Sequence, residues 1–271
     1  MIKIVTIDLD GTLFDKDKNI TWENKLAIAK CHDLGVKIVL ATGRPISGVL
    51  PVLQELGLTS NSDYAIIYNG SKIINVGTGE VISASLIKGN VVKGLYNESK
   101  RLGVHIHAFR KNEELITTEH NPYTDVESKI NHVEDHLFDF NLIDDNDDFI
   151  KCMLVDSDEN ITRIMNEVDE YYYKNYSMVR SSKIFLEFLK KGTEKGSALK
   201  ALASYLNVKM EDTMAIGDAG NDITMIQASG IGVAMKNAFP EVLKEADYIT
   251  INDNNNSGVA EALNKFIINN N

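Results

Sequence analysis

Two carboxylates two residues apart, Asp8 and Asp10 in Asp8-Leu9-Asp10-Gly11-Thr12, directly follow an apolar run, Ile2 to Ile7. A carboxylate is ionised at neutral pH, its ordinary pKa being about 3.9, and can attack phosphorus to form an acyl phosphate. A second carboxyl nearby can protonate the leaving alkoxide and then take a proton from the attacking water, because neighbouring carboxyls can hold different proton affinities. Three further polar clusters stand just past an apolar run or at the start of a helical one: Thr42-Gly43-Arg44, Lys195, and Asp218 with Asn221 and Asp222. Asp8 and Asp218 offer hard oxygens suited to Mg²⁺, which keeps several waters and accepts one or two carboxylates plus a substrate phosphate. Lys195 would bring positive charge to phosphoryl oxygens; a unit pair about 4 Å apart at an effective dielectric near 20 interacts by roughly 4 kcal/mol. Thr42, the Gly43 backbone and Asn221 can donate hydrogen bonds. The set fits phosphoryl transfer, whose charge-rich transition state mainly needs positioning and positive charge. Singly, an Asp or Thr at a strand end is an ordinary helix cap and a lysine is ordinarily solvated. Together the four clusters converge on one sheet edge.

Those positions need elements to hold them. The run Ile2 to Ile7 reads as a strand covered on both faces, and in open α/β sheets reactive groups collect beyond the carboxyl ends of strands. A helix is expected from Trp22 to Leu34, closed by Gly35. A strand over Val36 to Ala41 follows, then a helix opening at Pro45 and closed by Gly57. A strand over Tyr64 to Tyr68 leads to Asn69-Gly70, and a hairpin of Lys72 to Val76 and Glu80 to Ser83 turns at Gly77-Thr78-Gly79. The alternation stops there. It resumes after Lys190-Lys191-Gly192 with a helix Lys195 to Leu206, a strand Thr213 to Ile216, a helix Asp222 to Ala228 closed by Gly230, and strands Ile231 to Ala234 and Tyr248 to Ile251. Between lie helices mixed with short strands: Val104 to Arg110, Leu115 to Thr118, Lys151 to Val155 and Phe185 to Leu189. The expected fold is α/β: a doubly wound, Rossmann-like parallel-sheet core over residues 1–83 and 190–271, with an inserted α+β domain over residues 84–189. Asn252 to Asn256 and the tail Asn269-Asn270-Asn271 read as loop or frayed end.

Composition narrows the partners. With 28 Lys and Arg against 39 Asp and Glu, the net charge of −11 argues against nucleic acid. Two distant cysteines, Cys31 and Cys152, support neither a disulfide framework nor a thiolate zinc site, which suits a reducing cytoplasm. The strand begins at Ile2 and no apolar run approaches the roughly 20 residues of a membrane span, so neither a signal segment nor a membrane is expected. The chain is expected to be a monomer or homodimer.

Weaker signals have plain readings. His105 and His107 alternate on one strand face but lack a third ligand spaced to complete a metal site. Asp144-Asp145-Asn146-Asp147-Asp148 lacks the glycine and closing glutamate of a calcium loop and reads as solvated loop. Tyr171-Tyr172-Tyr173 and Tyr176 read as packing on a helix face. Arg44 could grip a substrate anion bidentately or tie down its own loop. Gly11 lets the chain turn closely past the site, and Thr12 can cap that turn through its hydroxyl.

Asp8-Leu9-Asp10-Gly11-Thr12, Ala41-Thr42-Gly43-Arg44, Lys195-Gly196 and Gly217-Asp218-x-x-Asn221-Asp222 resemble the four motifs of the haloacid dehalogenase superfamily. The place of the insertion, with Tyr68-Asn69-Gly70 and Phe185-Leu186-Glu187, resembles the Cof-type subfamily, in which an α/β cap covers the site. The resemblance spans the whole chain and is closer in the core than in the insertion, where substrate selection would occur. One departure is the acidic Gly192-Thr193-Glu194 before Lys195. The resemblance implies Asp8 as nucleophile and Asp10 as acid/base that also gives its backbone carbonyl to Mg²⁺, with Asp218 as the other metal ligand. It further implies that the Leu9 backbone, Thr42, Gly43, Lys195 and Asn221 hold phosphate, with Thr12, Arg44 and Asp222 behind them. The expected activity is Mg²⁺-dependent hydrolysis of a small phosphorylated metabolite, a sugar phosphate or phosphorylated cofactor, through an aspartyl phosphate. A phosphomutase using the same intermediate is the alternative. A non-enzymatic phospho-acceptor domain is the alternative from another class; Asp10 and the large insertion count against it.

Overall fold

The computed structural model describes residues 1–270, so Asn271 of the expected tail lies outside the described residues. The chain divides into two compact units. One comprises residues 1–42, 50–83 and 194–271; the other comprises residues 43–49 and 84–193.

The chain opens with strand β1 (Ile4–Ile7), helix α1 (Trp22–Asp33), β2 (Lys37–Ala41), α2 (Ile46–Glu55), β3 (Tyr64–Ile67), β4 (Lys72–Asn75) and β5 (Val81–Ala84). Thr21 caps α1 by accepting from the Asn24 amide, and Gly35 at φ +82° turns the chain out of it. Strand β3 stops one residue before the expected end because Tyr68 and Asn69 adopt left-handed backbone, φ 52° and 55°, and start a 3-10 turn.

The inserted stretch contains β6 (Ile87–Lys88), α3 (Gly89–Leu102), β7 (His105–Arg110), β8 (Leu115–Thr117), α4 (Pro122–Asn131) and β9 (Asp135–Leu137). It continues with β10 (Asp148–Val155), α5 (Asp158–Ile164), α6 (Glu170–Asn175), β11 (Tyr176–Ser182) and β12 (Phe185–Lys190). The chain then returns through α7 (Lys195–Tyr205), β13 (Thr213–Gly217), α8 (Ile223–Ala228), β14 (Ile231–Ala234), α9 (Pro240–Leu243), β15 (Tyr248–Ile249) and α10 (Gly258–Phe266). Among the described residues no helix is long and apolar enough to cross a membrane.

The eight strands of the first unit lie in the order β15-β14-β13-β1-β2-β3-β4-β5. All pairings from β15 to β3 are parallel, and β4 runs antiparallel to β3. Strand β1 is fully buried, as both faces of a parallel sheet require. On one side Ile4, Val39, Ala41 and Ile66 pack with Leu199, Leu202 and Met225 of α7 and α8. The chain leaves β1 through β2 and β3 in one direction and returns through β13 and β14 in the other. The strand order therefore reverses between β1 and β13, the point where an open sheet leaves a crevice beyond its carboxyl ends. Ile7 is in register with Ile216, so the residues that follow both strands emerge side by side.

In the second unit the strand order is β11-β12-β10-β7-β8-β9, with β6 beside β10. Ile106, Ala108, Cys152, Leu154, Leu186 and Phe188 pack against Val92, Leu95 and Ile161 in one apolar core. Alternation sends their neighbours His107, Lys151, Met153 and Glu187 to the other face. There Lys151, 1% exposed, lies 3.3 Å from both Glu127 on α4 and Glu187 on β12. The His107 ring lies 3.0 Å from the Thr124 hydroxyl and 3.1 Å from the Met153 sulfur. Burial, helped by Lys151, pushes its pKa down to about 3, so the ring is neutral. His105 instead sits 2.7 Å from Glu119, and the two histidines do not share a partner.

Two plain readings need correction. Asp148 is not loop: it opens β10, where Lys88 at 2.7 Å and Lys111 at 3.3 Å neutralise it. Of the tyrosine cluster only Tyr172 is buried, edge-on to Phe188; Tyr171 and Tyr173 are exposed because α6 is short and turns one face inward, and Tyr176 belongs to β11. Of the expected tail, Asn269 and Asn270 lie in a 3-10 turn, Ile268–Asn270.

Removing one partner of a buried ion cluster strands the others. Lys151→Ala is therefore expected to lower unfolding free energy by about 3–5 kcal/mol, with Lys151→Met milder only if Glu127 takes up a proton. Urea unfolding of the two variants checks this; a loss below about 1 kcal/mol for Lys151→Ala would mean the cluster is hydrated like a surface pair.

Candidate active site

Asp8 leaves β1 with its amide donating to the Ile216 carbonyl at 3.0 Å, which continues the sheet ladder by one residue and sets the carboxylate at the crevice. Lys195, the first residue of α7, reaches it: Nζ is 2.6 Å from Asp8 Oδ1 and 2.6 Å from Asp222 Oδ1. The start of α7 is held by a reciprocal cap, in which the Glu194 amide donates to Ser197 Oγ and that hydroxyl donates to the Glu194 carbonyl. Gly196 lets α7 approach α8, its amide donating to Thr224 Oγ1 at 3.1 Å, where any side chain would run into the Thr224 carbonyl.

Asp218 follows β13. Its Oδ1 accepts from the Thr12 hydroxyl at 2.8 Å, so Thr12 spans to Asp218 instead of capping its own turn, because Gly11 at φ +86° brings the two loops together. A Cβ on Gly11 would collide with the Asp218 carboxylate. Asp222 is committed on both oxygens, Oδ1 to Lys195 and Oδ2 to the amides of Asp218 and Ala219 at 3.0 Å each. It organises the loop and the lysine together. One carboxylate oxygen from each of Asp8, Asp218 and Asp222 lies within 4.8 Å of the others.

The electrostatics follow from three buried carboxylates meeting one lysine. Burial and then the charge of Asp222 push the Asp8 carboxyl well above its ordinary value, although Lys195 pulls the other way. Burial works against charge on Lys195, yet Asp222 and Asp8 more than offset it and hold its pKa above the ordinary lysine value. Asp218 is raised to about 6 by burial and by Asp222, against the pull of the Thr12 hydrogen bond. Such a group of anions is under-neutralised. The Oδ2 atoms of Asp8 and Asp218 have no protein donor among the described residues, and hard oxygens in this state fit a divalent cation.

The other candidate residues have partners of their own. Leu9 is buried, its carbonyl accepting from the Phe14 amide at 2.9 Å. Thr42 is buried at the end of β2, its amide donating to Ile66 and its carbonyl accepting from Asn69. Asn221 Nδ2 donates to Asn69 Oδ1 at 3.0 Å. Asn69 thus ties the Thr42 loop to the Asn221 loop, a role signalled only by an Asn-Gly pair after a strand. Gly43 and Arg44 follow Thr42 and belong, with residues 45–49, to the second unit. The Asp10 carboxylate does not join the buried group; it is half-exposed and pairs with Lys18 Nζ at 2.5 Å, a partner that no spacing in the sequence pointed to.

A model of the haloacid dehalogenase-like hydrolases matches residues 5–263. YxeH of Bacillus subtilis is 37% identical over 270 residues, covering 99% of both chains. The Bacillus subtilis enzyme 5-amino-6-(5-phospho-D-ribitylamino)uracil phosphatase YcsE is 30% identical, covering 98% of this chain and 96% of its own. Among solved structures, a haloacid dehalogenase-like hydrolase from Bacteroides thetaiotaomicron superposes with a TM-score of 0.86 at 31% identity, over 98% of this chain and all of that one. The subclass IIB sugar phosphatase BT4131 gives 0.81 at 27% identity, over 97% and 98%. This chain belongs to the haloacid dehalogenase-like hydrolase family. Within it the protein is a phosphatase, a phosphoric monoester hydrolase.

The raised Asp218 carboxyl carries a pH signature. Stability from a carboxyl whose folded pKa lies above its unfolded one is present below about 4 and is lost as pH rises through about 6. In chelator, Asp218→Asn should therefore be more stable than the parent at pH 7.5 by about 1–3 kcal/mol, the difference vanishing toward pH 4. Denaturant unfolding at several pH values measures it; parallel curves would mean that Asp218 is not strained by its neighbours.

Proposed function

We propose that this phosphatase hydrolyses a small phosphorylated metabolite, a sugar phosphate or phosphorylated cofactor, through an aspartyl phosphate on Asp8, with Mg²⁺ as its ion. One observation carries the reading: a buried carboxylate at the sheet's reversal point, 2.6 Å from a buried lysine and beside a second under-neutralised carboxylate. Mg²⁺ held by Asp8, Asp218 and the Asp10 carbonyl would offset the repulsion between carboxylate and phosphate.

An oxygen of Asp8 attacks phosphorus, the ester P–O bond breaks, and the leaving alkoxide takes a proton from the Asp10 carboxyl. Water then attacks the phosphorus of the acyl phosphate and gives a proton to the Asp10 carboxylate. Asp8 departs as carboxylate and inorganic phosphate is released. Lys195 shifts part of its charge from Asp8 to the phosphoryl oxygens, and Thr42, the Leu9 and Gly43 amides and Asn221 donate to the rest. Asp222 keeps Lys195 in place when Asp8 is phosphorylated, while Thr12 fixes Asp218. The inserted unit is assigned the choice of leaving group, in line with relatives that share this core but act on different compounds.

Asp8→Asn keeps the volume and removes the nucleophilic charge, so turnover should fall at least 10³-fold with the circular dichroism spectrum unchanged. Phosphate release from a panel of phosphorylated sugars and cofactors tests this; residual turnover within about tenfold of the parent would rule out the covalent route, and isomerised product without free phosphate would point to a mutase. Activity should disappear in chelator, and Asp218→Ala should raise the Mg²⁺ concentration for half-maximal rate by tenfold or more, roughly the scale of losing a ligand-shell group. Full activity in chelator would remove the metal from the mechanism.

A further inference from the structure

The loop after Thr12 is built more rigidly than its exposure requires. Asp15 is its hub: Oδ1 accepts from the amides of Asp17 at 2.8 Å and Asn19 at 2.9 Å, and the Asp15 amide donates to the Asn19 carbonyl at 2.9 Å. This tight turn forces Lys18 into left-handed backbone, φ 62°, which L residues other than Asn and Asp seldom adopt. Such a conformation persists only where its surroundings over-determine it. Phe14 bridges to Asp10 on one side and to Ile20 on the other, so the turn folds back along the Asp10 backbone. The Lys18 ammonium, 61% exposed, then meets Asp10 Oδ1 at 2.5 Å.

The far side of the same loop is held by asparagines remote in sequence. Asn255 Oδ1 accepts from the Lys16 amide at 2.9 Å, and Asn254 Nδ2 donates to the Phe14 carbonyl at 2.8 Å. The Asn254 amide donates to Asn237 Oδ1 at 3.0 Å, and Asn237 Nδ2 donates to the Gly11 carbonyl at 2.8 Å, directly after Asp10. The ladder therefore grips both ends of the segment that carries Asp10 and Lys18. The stretch Asn252 to Asn256, read from sequence as plain loop, supplies two of its three members.

We propose that Lys18 is a positioning residue for Asp10, fixing the plane of its half-exposed carboxylate, and that Asn237, Asn254 and Asn255 hold the Lys18 turn in place. The proposal rests on Asp10 acting as proton donor in the reaction above. A half-exposed aspartate samples several rotamers, and a charge-assisted hydrogen bond to one oxygen selects among them. The consequence falls on substrates that need a well-aimed proton. Alkyl esters leave as strongly basic alkoxides, whereas nitrophenyl phosphate leaves with little help.

The test measures kcat/KM over a series of aryl and alkyl phosphates with the full chain and Mg²⁺, plotted against leaving-group pKa, for the parent, Asp10→Asn, Lys18→Met, Lys18→Arg and Asn237→Ala. Asp10→Asn should steepen the dependence; if it does not, Asp10 is not the donor and the mechanism itself fails. With that established, Lys18→Met should cost about tenfold or more on alkyl phosphates, inside the range of a general acid's contribution, and less than about threefold on nitrophenyl phosphate, with Lys18→Arg restoring most of the loss. Asn237→Ala should tilt the plot the same way. If Asp10→Asn steepens the plot but Lys18→Met lowers every substrate by one factor or none, the positioning role is overturned. A uniform loss for Asn237→Ala would overturn the role of the ladder.

Discussion

Everything at this site depends on a buried ammonium shared between two buried carboxylates. Lys195 is 1% exposed, and each of its contacts with Asp8 and Asp222 is 2.6 Å. A lone charge so placed would be lost to neutralisation; two carboxylates keep it and already outweigh it by one charge, and a third, Asp218, widens that excess to two. That imbalance is tolerable only if something cationic enters or protons are taken up, which is why Asp8 and Asp218 are pushed toward protonation by burial and their neighbours. The same imbalance suits a cation and a phosphoryl group arriving together. Removing Asp222 would release Lys195 and the Asp218 loop at once, since one side chain holds both.

The sheet makes the arrangement possible. Strands adjacent in space, β1 and β13, are separated by more than two hundred residues, and their register places Asp8 beside the start of the Asp218 loop. Helices α7 and α8 meet over Gly196, which lets the lysine at the head of one and the aspartate just before the other reach the same point. Small residues thus matter where backbones must approach: Gly11 against Asp218, Gly196 against Thr224, and Gly217 against Asp222.

The inserted unit carries a second buried ion cluster, Lys151 with Glu127 and Glu187, beside a neutral His107. Its arrangement contrasts with the first. There one lysine is shared by two carboxylates in a network that joins α4 to the sheet; here one lysine faces three carboxylates and reaches only two of them. A closed network specifies packing, whereas an under-neutralised one invites a ligand.

Strand runs, helix ends and the four polar clusters were legible because each is written in local periodicity and in punctuation by glycine and proline. The core strands and helices expected from sequence emerged with boundaries within a residue or two, but helices α9 and α10 were not among them. Less was legible in the stretch between: helices α5 and α6 and strand β9 are short, α3 escaped although its apolar face is regular, and β10 takes in an aspartate paired with lysines from β6 and the β7 end. The side-chain types gathered at the candidate site were thus set by sequence alone, since the chemistry of a carboxylate, an ammonium or an amide resides in a single side chain. Their pairings were decided by tertiary structure. That Thr12 reaches Asp218, that Asn221 meets Asn69, that Asp10 turns to Lys18, and that asparagines near residue 254 brace the loop at residue 14 are facts of strand order and of left-handed turns. Those bring together residues that no spacing along the chain relates.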